Sequence, residues 1–126
     1  MLINLSNHPY SKWSEQQYKS AIENYTEIKD IPFPVIDPYN DAEEVLLKAK
    51  EYMKLCIDEL SEYPGQRNAV HIMGEFNFTY ILVSALLSKK IECITSTTER
   101  NVVDDGDRKI TVFKFVKFRE YVNYND

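Results

Sequence analysis

The sequence predicts a single α/β domain spanning residues 1–126, with a mostly parallel sheet flanked by helices and a C-terminal antiparallel strand. Three observations carry that prediction. Apolar runs of strand length alternate three times with amphipathic helical stretches, and right-handed crossovers then lay the strands parallel with helices on both faces. A turn sequence, Asp104-Asp105-Gly106-Asp107, follows the fourth run and sends a last β-rich run back along it. The chain has 126 residues, 44% of them hydrophobic and 28% charged, which suits one packed core and is far from disorder. Such an arrangement is Rossmann-like. No internal repeat, linker or low-complexity segment interrupts it.

The elements follow in order. Leu2-Ile3-Asn4-Leu5 reads as a first strand, ended by Ser6-Asn7-His8-Pro9. Ser14 offers an N-cap with Gln17 three residues on, as in a capping box, and Tyr18, Ala21, Ile22 and Tyr25 continue at helical spacing. Glu27 to Phe33 reads as a second strand, closed by Pro32 and Pro34. Asp41 with Glu44 resembles another capping box, ahead of a helical stripe running from Val45 to Leu60 that Pro64-Gly65 ends. Ala69 to Met73 is a buried third strand broken by Gly74. Phe78 to Leu87 is helical and apolar nearly all round. Ile91 to Thr95 forms a fourth strand, and Ile110 to Phe118 forms the last, antiparallel one.

Composition excludes several classes. A net charge of −5 is wrong for a general DNA or RNA coat protein, which neutralises phosphates over a broad basic surface, so no DNA partner is expected. A small phosphorylated ligand remains compatible, since helix N-termini and a few cations suffice to hold it. No apolar run approaches the roughly 20 residues of a membrane span, and Met1 to Ser6 lacks the features of a signal peptide. Cys56 and Cys93 sit in an apolar helix and an apolar strand with no CxxC or zinc spacing, so they read as reduced core residues. A cytoplasmic protein with no membrane partner, no metal and no cofactor is the expectation.

In parallel sheets ligands bind beyond the C-terminal strand ends, near the switch point of strand order. That rule selects Ser6 to Trp13, Gly74 to Thr79, and Ser96 to Arg100. The first supplies Ser6, Asn7, His8 and Trp13. The second supplies Gly74, Glu75, Phe76, Asn77 and Thr79, with Gly74 permitting close backbone approach and the following helix start leaving N–H groups free. The third supplies Ser96, Thr97, Thr98 and Arg100, three hydroxyls and a guanidinium able to grip phosphate by two parallel bonds. Their convergence on one sheet end describes a nucleotide or phosphodiester pocket. Each residue also has a plainer reading. The hydroxyls can satisfy strand-end backbone, Glu75 can complement a helix dipole, Arg100 can pair with Asp104 or Asp105, and His8 can be a turn residue. His71, inside an apolar strand, reads as a core or interface histidine before a catalytic one.

Ser6-Asn7-His8, Met73-Gly74-Glu75-Phe76 with Thr79-Tyr80, and Ser96-Thr97-Thr98-Glu99-Arg100 resemble the motifs of the small Csx-group ring nucleases of type III CRISPR systems. These are compact accessory proteins similar to a reduced CARF domain. The closing run Phe115-Val116-Lys117-Phe118-Arg119-Glu120-Tyr121 resembles their aromatic and basic last strand, and Asn7 between Ser6 and His8 departs from the pattern. The resemblance implies a homodimer that binds a cyclic oligoadenylate, cyclic tetra-adenylate in the first instance, and cuts it to switch off antiviral signalling. A ribose 2′-hydroxyl would attack the adjacent phosphate without metal. Arg100 and the N–H groups after Gly74 would stabilise charge, and His8 or Glu75 would act as general base or acid. Ser6, Thr97 and Thr98 would orient phosphates, and Phe76 or Trp13 would stack on adenine. The third helix, around Tyr80 and Val83 to Leu87, would supply dimer contacts. Two other readings share these features: a module that binds the cyclic nucleotide without cutting it, and a structural interaction subunit.

Overall fold

Strand and helix alternate as the periodicity predicts. The computed structural model describes residues 1–125. Strand β1 spans Leu2–Ser6 and helix α1 Glu15–Tyr25, with a short 3-10 turn at Tyr10–Lys12 between them. Strand β2 spans Ile28–Asp30, α2 Ala42–Leu60, β3 Ala69–Met73, α3 Phe76–Ser88, β4 Glu92–Asp105 and β5 Arg108–Glu120. The sheet order is β2-β1-β3-β4-β5. β2, β1, β3 and β4 run parallel and β5 pairs antiparallel with β4. The chain steps from β1 outward to β2 and then back past β1 to β3, so the switch point lies between β1 and β3.

The two faces of the sheet have different cover. Ile3, Leu5, Val70, Ile72 and Cys93 pack with Val45, Ala49, Cys56, Leu60, Phe78, Leu82 and Leu86 beneath α2 and α3. On the other face Leu2, Ala69 and Ile94 pack with Ala21 and Tyr25 of α1. α1 has 11 residues against 19 in α2, and the second cluster is accordingly the smaller. Cys56 and Cys93 are free and buried, and burial pushes both thiols up to about 12, which leaves them inert. Among the described residues no helix is long and apolar enough to cross a membrane.

Several boundaries differ from the sequence reading, each for a local reason. Ser14 caps α1 by accepting from the backbone N–H of Gln17 at 3.2 Å, but the Gln17 side chain turns to Ser96 instead of closing the capping box. Asp41 occupies the N-cap of α2 without a side-chain cap bond. β2 ends at Asp30, because Pro32 and Pro34 have no N–H to continue a ladder. α3 begins two residues early, at Phe76, since the Glu75 carboxylate caps it by accepting from Phe78 N–H at 2.7 Å. Val83 and Leu86, expected at a dimer contact, are buried within the chain's own core, whereas Tyr80 is exposed.

The largest difference is β4. It continues past Thr95 to Asp105, pairing with β5 all the way to the Asp105–Arg108 pair, and Gly106 turns the chain at a positive φ of 63°. β3 pairs with β4 only as far as His71 opposite Ile94. Beyond that point β4 and β5 form a two-stranded ribbon. Its tip exposes Val102, Val103, Ile110, Val112 and Phe113. The ladder is interrupted between Thr97 and Thr98, where Val116 is the extra residue. Thr97 Oγ1 fills the gap, accepting from Lys117 N–H at 3.2 Å and donating to Lys117 O at 3.1 Å.

Candidate functional site

A cleft of about 350 Å³ opens at the C-terminal ends of β1 and β3, beside the stretch of β4 just past its pairing with β3. Ser6, Asn7 and His8 line it from the end of β1 and the loop after it, Trp13 from the end of the 3-10 turn, and Gln17 from the first turn of α1. His71, Met73 and Gly74 line it from β3, and Ser96 and Thr98 from β4. A second hollow of about 330 Å³ shares Ser6 and Asn7 and extends over Asp30, Ile31 and Phe33. The cleft therefore sits at the switch point, where strand order alone would put a ligand.

Its floor is a hydrogen-bond chain assembled by strand register. Asn4 lies opposite Asp30 on one side and His71 on the other. Asn4 Nδ2 donates to Asp30 Oδ1 at 2.8 Å and to the His8 carbonyl at 2.7 Å. Asn4 Oδ1 accepts from Ser6 Oγ at 2.8 Å and from His71 Nδ1–H at 2.9 Å. Ser96 Oγ donates to His71 Nε2 at 2.7 Å and accepts from Gln17 Nε2 at 3.0 Å. Asp30 Oδ1 also accepts from Tyr10 N–H at 3.1 Å, which ties down the loop after β1. Asn4 and His71 are both almost fully buried, so this satisfaction is obligatory.

His71 is walled by the rings of Trp13 and Phe118, both edge-on with centroids 5.4 and 5.7 Å away. Burial pushes its pKa down to about 4. Its polar neighbours Asn4 and Ser96 are uncharged, and the nearest carboxylate in the chain of bonds, Asp30, stands behind Asn4. A histidine depressed in the fold takes up its proton more readily when unfolded. Its contribution to stability is therefore complete above the unfolded value of about 6.5 and is lost as pH falls toward 4, amounting to about 3 kcal/mol at the acid end. Thermal melts should fall across that window in the wild type and fall less in His71→Gln. Parallel profiles would mean that His71 does not carry the effect.

The residues selected from sequence divide into those the fold gathers and those it does not. Ser6, Asn7, His8, Trp13, Gly74, Ser96 and Thr98 line one cleft. Phe76 and Thr79 face a different groove of about 540 Å³, together with Tyr80, Leu87, Tyr121 and Tyr124. Asn77 is exposed on the first turn of α3, and Thr97 is engaged in the irregularity of the ribbon. The Glu75 carboxylate is engaged by its own helix. Arg100 lies on the ribbon opposite Phe113, exposed, and has no ion pair among the described residues. Pairing of Arg100 with Asp104 or Asp105 does not occur, because those acids lie opposite Lys109 and Arg108. Gly74 admits Phe33, whose ring occupies the space a Cβ would take.

Five residues of the site were not selected as site residues from sequence: Asn4, Gln17, Asp30, His71 and Met73. Asn4 did carry a signal. It is the one polar residue inside the apolar run of β1, and strand alternation puts it on the same face as Ser6. Among the described residues no three His, Cys, Asp or Glu side chains gather as a metal site would require.

A family model matches residues 1–119. The chain belongs to the uncharacterized protein MJ1673 family. No curated protein and no solved structure matches it.

Proposed function

We propose that the protein is a ring nuclease: a homodimer whose clefts bind a cyclic oligoadenylate, cyclic tetra-adenylate in the first instance, and open it by attack of a ribose 2′-hydroxyl on the adjacent phosphate. The observation that carries the reading is the convergence of Ser6, His8, Gly74, Ser96 and Thr98 on one cleft at the switch point. The motif resemblance adds the ligand class. Attack forms the O2′–P bond and releases the 5′-oxygen, leaving a 2′,3′-cyclic phosphate and a 5′-hydroxyl. The protein's part is alignment, which supplies several kcal/mol, with His8, which lines the cleft, as acid or base. On this reading the protein acts in the cytoplasm and ends type III CRISPR antiviral signalling.

The dimer answers two features of the single chain. The cleft is too small and open to enclose a ring, and the ribbon presents apolar side chains and Arg100 to solvent. Two copies about a two-fold axis would cover a ligand of matching symmetry and bring each Arg100 toward the partner's cleft. Calorimetric titration with cyclic tetra-adenylate should give one ring per two chains, with light scattering showing a dimer. A monomer binding one ring per chain would contradict it.

One observation favours binding without cleavage as the second reading. Of the three candidate catalysts, only His8 lines the cleft within one chain. That reading predicts a ring recovered intact after long incubation.

A further inference from the structure

The cleft contains a hydroxyl whose proton is already committed. Asn4 Nδ2 faces the His8 carbonyl and the Asp30 carboxylate, groups that can only accept, so the orientation of the Asn4 amide is fixed. Its Oδ1 is left as an acceptor, and His71 Nδ1, 2.9 Å away, must carry hydrogen. His71 Nε2 is then a bare acceptor. Ser96 Oγ, at 2.7 Å, gives it the only proton a serine hydroxyl has. One Ser96 lone pair takes the Gln17 amide, and one remains for the cleft that Ser96 lines. To a ligand, Ser96 is an acceptor and nothing else.

We propose that Ser96 Oγ reads the ribose 2′-hydroxyl of the bound adenylate ring by accepting its hydrogen bond, with His71, Asn4 and Asp30 as positioning residues that keep the serine proton turned away. The inference rests on the reading that this cleft holds a cyclic oligoadenylate. A serine free to rotate could donate to O2′ and occupy a lone pair needed for attack on phosphorus. A serine locked by His71 leaves those lone pairs free and rejects a sugar that has no proton to give. The site would thus select ribose over deoxyribose by leaving an unpaired acceptor against the wrong sugar. Burial, which holds His71 neutral over the ordinary pH range, keeps the proton order unchanged.

The test is calorimetric titration of wild type, Ser96→Ala and Ser96→Thr with cyclic tetra-adenylate and its 2′-deoxy counterpart. Wild type should prefer the ribose ring about tenfold, the order of one hydrogen bond. Ser96→Ala should bring the two affinities within about twofold, and Ser96→Thr should restore the preference. Nitrogen chemical shifts should show His71 neutral and protonated on Nδ1 in wild type and in Ser96→Ala, which separates lost recognition from a collapsed network. An unchanged preference in Ser96→Ala overturns the proposal, as does loss of discrimination against an N6-methylated ring in its place. Wild type that binds neither ring removes the ligand reading and the proposal with it. Wild type that prefers the ribose ring but leaves it uncut, with that preference lost in Ser96→Ala, supports the proposal and removes only the cleavage.

Discussion

Replacing Asn4 by leucine should destabilise the fold by about 3 kcal/mol, lowering the melting temperature by roughly 10 °C. The side chain keeps its bulk, so the loss is not a cavity. It comes from orphaned partners. The main one is His71 Nδ1–H, which loses its acceptor in a buried position; the His8 carbonyl and Asp30 carboxylate lose a donor too, but keep those from Ser6 Oγ and Tyr10 N–H. Each buried group left unpaired costs about 1–3 kcal/mol. Removing both ends of the bond should cost less than the sum of the parts. The double variant Asn4→Leu/His71→Phe should therefore recover stability relative to the additive expectation, which a double-mutant cycle measures. Additive losses, or a single variant within about 0.5 kcal/mol of wild type, would mean that the network does not organise this part of the sheet.

Gly74→Ala should cost about 2–3 kcal/mol, an overpacking effect. The new Cβ would fall on the Phe33 ring. A lone ring on the surface could swing aside, but this one packs edge-on against Phe78 at 5.1 Å. Phe78 is fully buried and also meets Tyr52 edge-on at 5.5 Å. Moving Phe33 uncovers that cluster, so the strain passes to α2 and α3. Chemical denaturation should show a lower midpoint with an unchanged slope. Phe33→Leu in the same background should return part of the loss. A Gly74→Ala variant as stable as wild type would show that the segment after β2 shifts freely.

The parallel sheet and its order of elements were legible because each helix and strand shows its own period over enough residues. Val45 to Leu60 keeps an apolar stripe at helical spacing, and Val70, Ile72 and Cys93 reach the face that α2 and α3 cover. The ribbon was not legible. Strand prediction rests on one face being buried, and from Thr98 onward β4 has both faces exposed, so Ser96 to Arg100 reads as a polar strand end. The cleft lining was largely legible from the strand-end rule. The chain beneath it was not, because it joins Asn4 to a histidine 67 residues away and that histidine to a serine 25 further on. Register makes those pairs, and one sequence does not reveal register.

Product analysis of cyclic tetra-adenylate incubated with the protein in EDTA tests the central claim most directly. The account predicts that the ring disappears and that mass analysis finds shorter linear adenylates bearing a 2′,3′-cyclic phosphate and a 5′-hydroxyl. A ring recovered intact in EDTA, or cut only after magnesium or manganese is added back, would contradict it.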